Sequence, residues 1–144
     1  MSKFTIRFAV YLILIKDHQV CLSLRQNTGF MDNYYSLIAG HVDGQEKATT
    51  ALLREAKEEA NIVPINPKLV CTLHRNNPNG YEYIDLFFTA NQWTGQLNNN
   101  EPEKCAEISW HDLNKLPENI VPYVKEILNG LDNNHQYLEY GWQD

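Results

Sequence analysis

Residues Arg54 to Asn61 read REAKEEAN, which crowds Glu55, Glu58 and Glu59 into five consecutive positions. On a helix, like charges four apart, such as Glu55 and Glu59, are destabilising by roughly 0.2–0.5 kcal/mol per pair. That cost acquires a purpose when a positive group sits among the carboxylates. At about 100° per residue the three side chains share one helical face. The apolar stripe through Leu52 and Ala56 lies next to it, so the carboxylates stand at the edge of buried surface rather than opposite it. Hard oxygen donors in a small cluster suit Mg²⁺ or Mn²⁺. From these eight residues alone, a solvated charged face with Arg54 or Lys57 paired to its neighbours weighs as much as a metal site.

The element that must position this cluster is a helix over about Glu46 to Ala60. Ala48, Leu52, Ala56 and Ala60 recur every fourth residue as one apolar stripe, with Ala51 and Leu53 beside it. Glu46 falls in the first turn, where the helix dipole favours negative charge. Asn61 can adopt the left-handed cap conformation, and Pro64 prevents the helix from resuming. Upstream, FTIRFAVYLILI and QVCLSLRQ read as two strands joined by a tight turn at KDHQ. YYSLIAG reads as a short strand ending at Gly40, and HVDGQ as a turn. Downstream, KLVCTLHR, YEYIDLFFTAN, a piece around WTGQL and CAEISW read as strands, with NNPNG as a turn. HDLNKLPEN reads as a short helix or turn and IVPYVKEILNGL as a second amphipathic helix; the tail DNNHQYLEYGWQD has no clear pattern. Strands and helices mixed in this order indicate an α/β or α+β sandwich.

The 144 residues fit a single domain, residues 1–144. A net charge of −6 with no Lys/Arg run argues against duplex nucleic acid as a partner. Cys21, Cys71 and Cys105 are widely spaced and odd in number, so a zinc site or disulfide framework is disfavoured and a reducing, cytoplasmic setting is expected. The apolar run Phe8 to Ile15 is short for a membrane span and no small-residue cleavage site follows it.

In its wider context, GHVDGQEKATTALLREAKEEANI from Gly40 resembles the Nudix box, in which a glycine, a glutamate, an Arg-Glu pair, a Glu-Glu pair and a final glycine-aliphatic pair recur at fixed spacing. Gly40, Glu46, Arg54, Glu55, Glu58, Glu59 and Ile62 fall on their positions. Ala56 is smaller than the usual aliphatic, and Asn61 replaces the last glycine. Neither departure removes a charged group. The resemblance implies an α/β fold, the Nudix-type alpha/beta/alpha sandwich with a mixed β-sheet. It implies a MutT-like hydrolase that cleaves a nucleoside diphosphate linked to another moiety.

By the same resemblance Glu58 and Glu59 hold Mg²⁺ or Mn²⁺ with the Gly40 carbonyl. Glu55 binds metal or activates water, and Arg54 orients a neighbouring glutamate. Glu46 steadies the loop–helix junction or reaches the metal shell. Arg25 takes the position of an arginine that often meets a substrate phosphate. The late segment EPEKCAEISWHDLNKLPENIVPYV resembles that of nucleotide-cleaving members, where a loop glutamate serves as a further ligand or base. Glu103 is the choice there, with Glu101 and Glu107 as rivals. Tyr35 is the expected substrate contact among the aromatic residues Phe30, Tyr34, Tyr35, Tyr83 and Phe87, each of which is more often core or rim. His41 reads as a turn residue, and His74 as packed or solvated. The expected partner is a nucleotide small molecule, with no duplex nucleic acid and no membrane, on a monomer or homodimer. Triphosphate cleavage to monophosphate and pyrophosphate ranks first. Nucleotide-sugar or dinucleotide cleavage is second, because ADP-ribose members often carry an N-terminal domain absent from this sequence. A non-catalytic nucleotide-binding module ranks last, because every box carboxylate is present.

Overall fold

The computed structural model describes residues 3–133 and 136–143. Strand β1 (Arg7–Lys16) is buried from Ala9 to Leu14 without a break, because it runs through the middle of the sheet with both faces covered. Its side chains alternate between two cores. Ala9, Tyr11 and Ile13 pack with Tyr123, Val124, Ile127 and Leu128 on one face. Val10, Leu12 and Leu14 pack with Ala51, Leu52, Ala56 and Ala60 on the other. These two sets of partners belong to the helices α2 (Pro122–Asn129) and α1 (Ala48–Ala60), so the molecule is an α/β/α sandwich.

The chain turns from β1 into β2 (Gln19–Arg25) through Asp17 and His18, both left-handed (φ 52° and 63°), as a two-residue hairpin loop requires. The segment read as one strand ending at Gly40 is two, β3 (Tyr35–Ser36) and β4 (Ile38–His41). β3 pairs with β2 and β4 with β1, so the chain changes partner at Leu37. After α1 come β5 (Val63–Pro64), β6 (Lys68–Asn76), β7 (Glu82–Ala90), β8 (Trp93–Thr94) and β9 (Cys105–Asp112). The tail supplies β10 (Tyr137–Tyr140), an edge strand lying parallel to β6. The main sheet runs β10-β6-β7-β1-β2-β3, with β4 on β1 and β9 on β2. It is mixed: β1/β7 and β6/β10 are parallel and the other pairs antiparallel. The WTGQL strand shrinks to β8, which pairs with β5, and in HDLNKLPEN the residues His111 and Asp112 end β9 while the remainder is turn rather than helix.

Helix α1 starts at Ala48, two residues later than the periodicity predicts, with Lys47 as an N-cap that makes no side-chain bond. Glu46 is therefore outside the first turn, and its charge is not placed on the helix dipole. At the other end Asn61 is left-handed (φ 63°); its N–H donates to the Lys57 carbonyl (3.1 Å) and the Ile62 N–H to that of Ala56 (3.5 Å), which caps the helix. Among the described residues no helix is long and apolar enough to cross a membrane.

Candidate active site

The exposed edge of α1 faces the end of β4, and their relative placement depends on a residue without a side chain. A Cβ on Gly40 would run into the Glu55 carboxyl group. The missing methyl lets Glu55 lie flat across the strand, half-buried.

Which backbone atoms of β4 face the acids follows from register. The Val42 N–H donates to the Phe8 carbonyl (2.9 Å). Counting along the antiparallel ladder, Val10 and Gly40 form the next hydrogen-bonded pair, while Ala39 and His41 sit at non-bonded positions with their N–H and C=O turned away from β1. The observed bonds agree. The Ala39 N–H donates to Glu59 Oε2 (3.2 Å), and Arg54 Nη2 donates to the His41 carbonyl (3.1 Å). This corrects the expected ligand set, because the Gly40 carbonyl is engaged by β1 and the free carbonyl on the acidic side is that of Ala39. His41, expected in a turn, is the last residue of β4.

Arg54 organises the rest. Its Nε and Nη2 grip the two oxygens of Glu46 (2.9 and 3.0 Å), and Nη1 holds Glu55 Oε1 (2.8 Å). The Glu46 carboxylate also accepts the Asp43 N–H (3.0 Å). Those bonds, the Arg54 contact first, draw the Glu46 carboxyl down to about 2. Glu46 thus fastens the loop before α1 to Arg54 and is absent from the cleft wall. Glu59 shows the opposite shift. Burial, then the neighbouring charges of Glu55 and Glu101, push its carboxyl well above the usual range. Glu55 is raised too, chiefly by burial, against the pull of Arg54. Two set-back carboxylates repelling each other is the electrostatic signature of a site suited to a cation.

These groups line a cleft of about 620 Å³, which also receives Glu58, Glu101, Arg25 and Lys104. Glu58 is turned outward, its side chain 53% exposed and 3.5 Å from Arg54. Accordingly, among the described residues no three His, Cys, Asp or Glu side chains converge closely enough to hold an ion as they stand. The donor chemistry nevertheless fits a hard divalent ion: among the described residues Glu59 keeps one oxygen without a partner and the Ala39 carbonyl has none, and a rotation of Glu58 would complete the set.

The late loop gives a second correction. Glu103 is exposed and off the cleft wall, its carbonyl tied to Asn27 Nδ2 (3.0 Å). Glu101, weighed as a rival, lines the cleft because its own carbonyl accepts the N–H groups of Lys104 and Cys105 (2.9 Å each), a turn that directs it at α1. The third candidate, Glu107, accepts the Tyr35 hydroxyl instead. Tyr35 is thereby committed to β9, its ring against His111, and does not line the cleft. Arg25 does reach it, although Nε and Nη2 are spent on the Phe30 carbonyl (2.8 Å) and Thr28 Oγ1 (3.0 Å). Phe87 is fully buried, and Tyr34 is exposed outside the cleft wall. His74 is packed, its ring against Trp142.

Arg75 and Asp85, 4% and 0% exposed, form a buried ion pair (Nε to Oδ2 2.7 Å). The guanidinium lies between the rings of Tyr83 and Tyr123 (4.1 and 4.5 Å). An arginine and an aspartate ten residues apart on neighbouring strands carry no local signal of pairing; only the β6/β7 register brings them together.

Residues 5–131 match the family model described as NUDIX domain. An ADP-ribose pyrophosphatase from Methanocaldococcus jannaschii is 32% identical over 112 residues, which are 76% of this chain and 64% of that protein. The chain thus matches less than two thirds of the length of that curated relative. A MutT NUDIX hydrolase from Burkholderia pseudomallei superposes with a TM-score of 0.82 at 22% identity, over 88% of this chain and 98% of that one. A MutT protein from Methanosarcina mazei superposes with a TM-score of 0.79 at 18% identity, over 92% and 97%. At those identities the two structures establish the shared fold.

Proposed function

Because this chain belongs to the Nudix family, we propose that it hydrolyses the pyrophosphate linkage of a nucleoside diphosphate derivative with the help of Mg²⁺ or Mn²⁺. The observation that carries this reading is Glu59: a carboxylate set deep in the cleft, bonded to the Ala39 N–H, and charged against Glu55 and Glu101. Glu59, Glu58 and the Ala39 carbonyl would hold the ion. When bound, it supplies neutralisation of phosphate oxygens and a more acidic water. Glu55 would accept a proton from the attacking water, a role that its burial supports by raising its affinity for a proton. Arg54 holds Glu55 by Oε1, which positions a carboxylate that lines the cleft. Arg25 and Lys104 present positive charge to the phosphate chain from the far wall.

Within that class, a nucleoside triphosphate split to monophosphate and pyrophosphate remains the first substrate assignment, on the late-loop segment that contributes Glu101. A nucleotide sugar is the second, favoured by the name of the Methanocaldococcus relative. The two are separated by measuring pyrophosphate and phosphate release with Mg²⁺ across triphosphates, nucleotide sugars and dinucleotides. Pyrophosphate from triphosphates selects the first, and cleavage confined to sugar conjugates selects the second. No turnover of any of them, with folded protein and saturating metal, defeats the hydrolase reading.

A further inference from the structure

We propose that Asn77 reads the nucleobase and that it selects adenine over guanine. The proposal rests on the nucleotide reading above and adds which base the substrate bears. A second recess, about 340 Å³, adjoins the acidic cleft and shares Arg25, Ala39, Gly40 and His41 with it. A molecule whose phosphates lie over the acids can extend directly into it.

Asn77 lines this recess and is only 7% exposed. Its backbone is fixed by the turn between β6 and β7: its N–H donates to the Tyr81 carbonyl and its carbonyl accepts the Gly80 N–H (3.0 Å each). Among the described residues its side-chain amide has no hydrogen-bond partner. Yet no side-chain nitrogen or oxygen among them is both sealed and unpartnered. The amide therefore keeps an open face, and the recess provides the opening. The open amide is left to water in the free protein, and a ligand edge that matches its donor and acceptor replaces that water. Asn79, also on the recess wall, already spends its amide oxygen on the Tyr81 N–H (3.0 Å).

The choice of base follows from which groups are free. An asparagine amide offers a donor beside an acceptor, the complement of the adenine amino group and N7. Guanine presents two acceptors on its N7 edge, which a guanidinium satisfies, so the base sets its N7 edge, and not the O6/N1–H edge that an amide would also pair, against Asn77. Both arginines at the recess are engaged, Arg75 with Asp85 (2.7 and 3.3 Å) and Arg25 with the loop after β2. Phe30 and Tyr83 contribute aromatic wall to the recess, apolar surface against which a planar base can pack.

The test is calorimetric titration of AMP, GMP and N6,N6-dimethyl-AMP in Mg²⁺ into the wild-type chain and into Asn77→Asp and Asn77→Ala. AMP should bind roughly 5- to 100-fold more tightly than GMP, the discrimination of one bidentate amide–base contact. Dimethyl-AMP, which lacks the amino donors, should fall to the GMP level, a result that requires no variant to fold. In both substitutions the AMP/GMP ratio should collapse toward one with an unchanged circular dichroism spectrum. Equal affinities in the wild type, tighter GMP, a preference that survives both substitutions, or no binding of either nucleotide overturns the proposal. Hydrolysis without base preference would defeat the role of Asn77 and leave the hydrolase reading standing. An Asn77-dependent AMP preference without hydrolysis of any substrate would do the reverse.

Discussion

Gly40 shows how one residue type can be required without strain. Its backbone is not in the left-handed region, so alanine is conformationally allowed there, and the nearest conflicts are all with the Glu55 side chain. A carboxylate at the end of a flexible chain can swing aside, so Gly40→Ala should change stability by less than about 1 kcal/mol, within the ordinary range of mild substitutions. Turnover should fall by roughly 100-fold or more, because a displacement of about an ångström at a reacting group is worth that much. Parallel melting curves and rates check both halves, and a Gly40→Ala enzyme with normal turnover would remove Glu55 from the chemistry. Glu46 makes a different prediction. Its folded pKa, about 2, lies below the ordinary value because Arg54 and the Asp43 N–H favour the charged form. A depressed carboxyl stabilises the fold above its unfolded pKa, and that stabilisation disappears as pH falls from about 4.5 toward 2. Melting temperature measured over that range should drop less steeply in Glu46→Gln than in the wild type.

The elements differ in how much of them a sequence can specify. Helix α1 was legible because its determinants are local: a four-residue apolar recurrence, an asparagine able to take a left-handed cap, and a proline beyond it. The box positions on it were legible for the same reason. The split of Tyr35–His41 into β3 and β4 was not, because nothing in YSLIAG marks Leu37; the break exists only because β1 and β2 diverge on either side. The same dependence on register hid the exchange of Gly40 for Ala39 as the free carbonyl, and the tail strand β10, which needs the edge of β6 to pair with. Glu101 was inseparable from Glu103 until the turn closing on the Glu101 carbonyl set which one faces α1. The Arg75–Asp85 pair is the extreme case, a long-range contact between two strands. Removing one partner of a buried pair leaves an uncompensated charge, so Asp85→Asn should lower stability by about 3–5 kcal/mol in denaturant titration. Replacing both partners with apolar residues of similar size should recover most of that loss. A double replacement as damaging as the single one would show that the pair fixes the position of Tyr83 and Tyr123 as well as neutralising itself.

At the scale of the whole molecule, charge sets the conditions for activity. The chain bears 18 Asp and Glu against 12 Lys and Arg, and three of the box glutamates share the cleft with Glu101. A polyphosphate approaching that wall would meet its own sign of charge, so under the proposed reading a divalent ion would serve to bind the substrate as well as to activate water. The ion should also stabilise the fold, because it relieves the repulsion that raises the Glu59 and Glu55 carboxyls. At a hundredfold excess over its dissociation constant, Mg²⁺ should add about 2.7 kcal/mol, which for a chain of this size is roughly 5–10 °C of melting temperature. Glu59→Gln separates the two effects. The amide oxygen can still accept the Ala39 N–H, while the repulsion with Glu55 and Glu101 is gone. Metal-free Glu59→Gln should therefore melt at or above the metal-free wild type at neutral pH, and its Mg²⁺-induced increment should vanish together with turnover. If the variant keeps the full increment, the ion is held elsewhere on the molecule; if it melts well below the wild type without metal, Glu59 is a structural group and the cleft is not built around a cation.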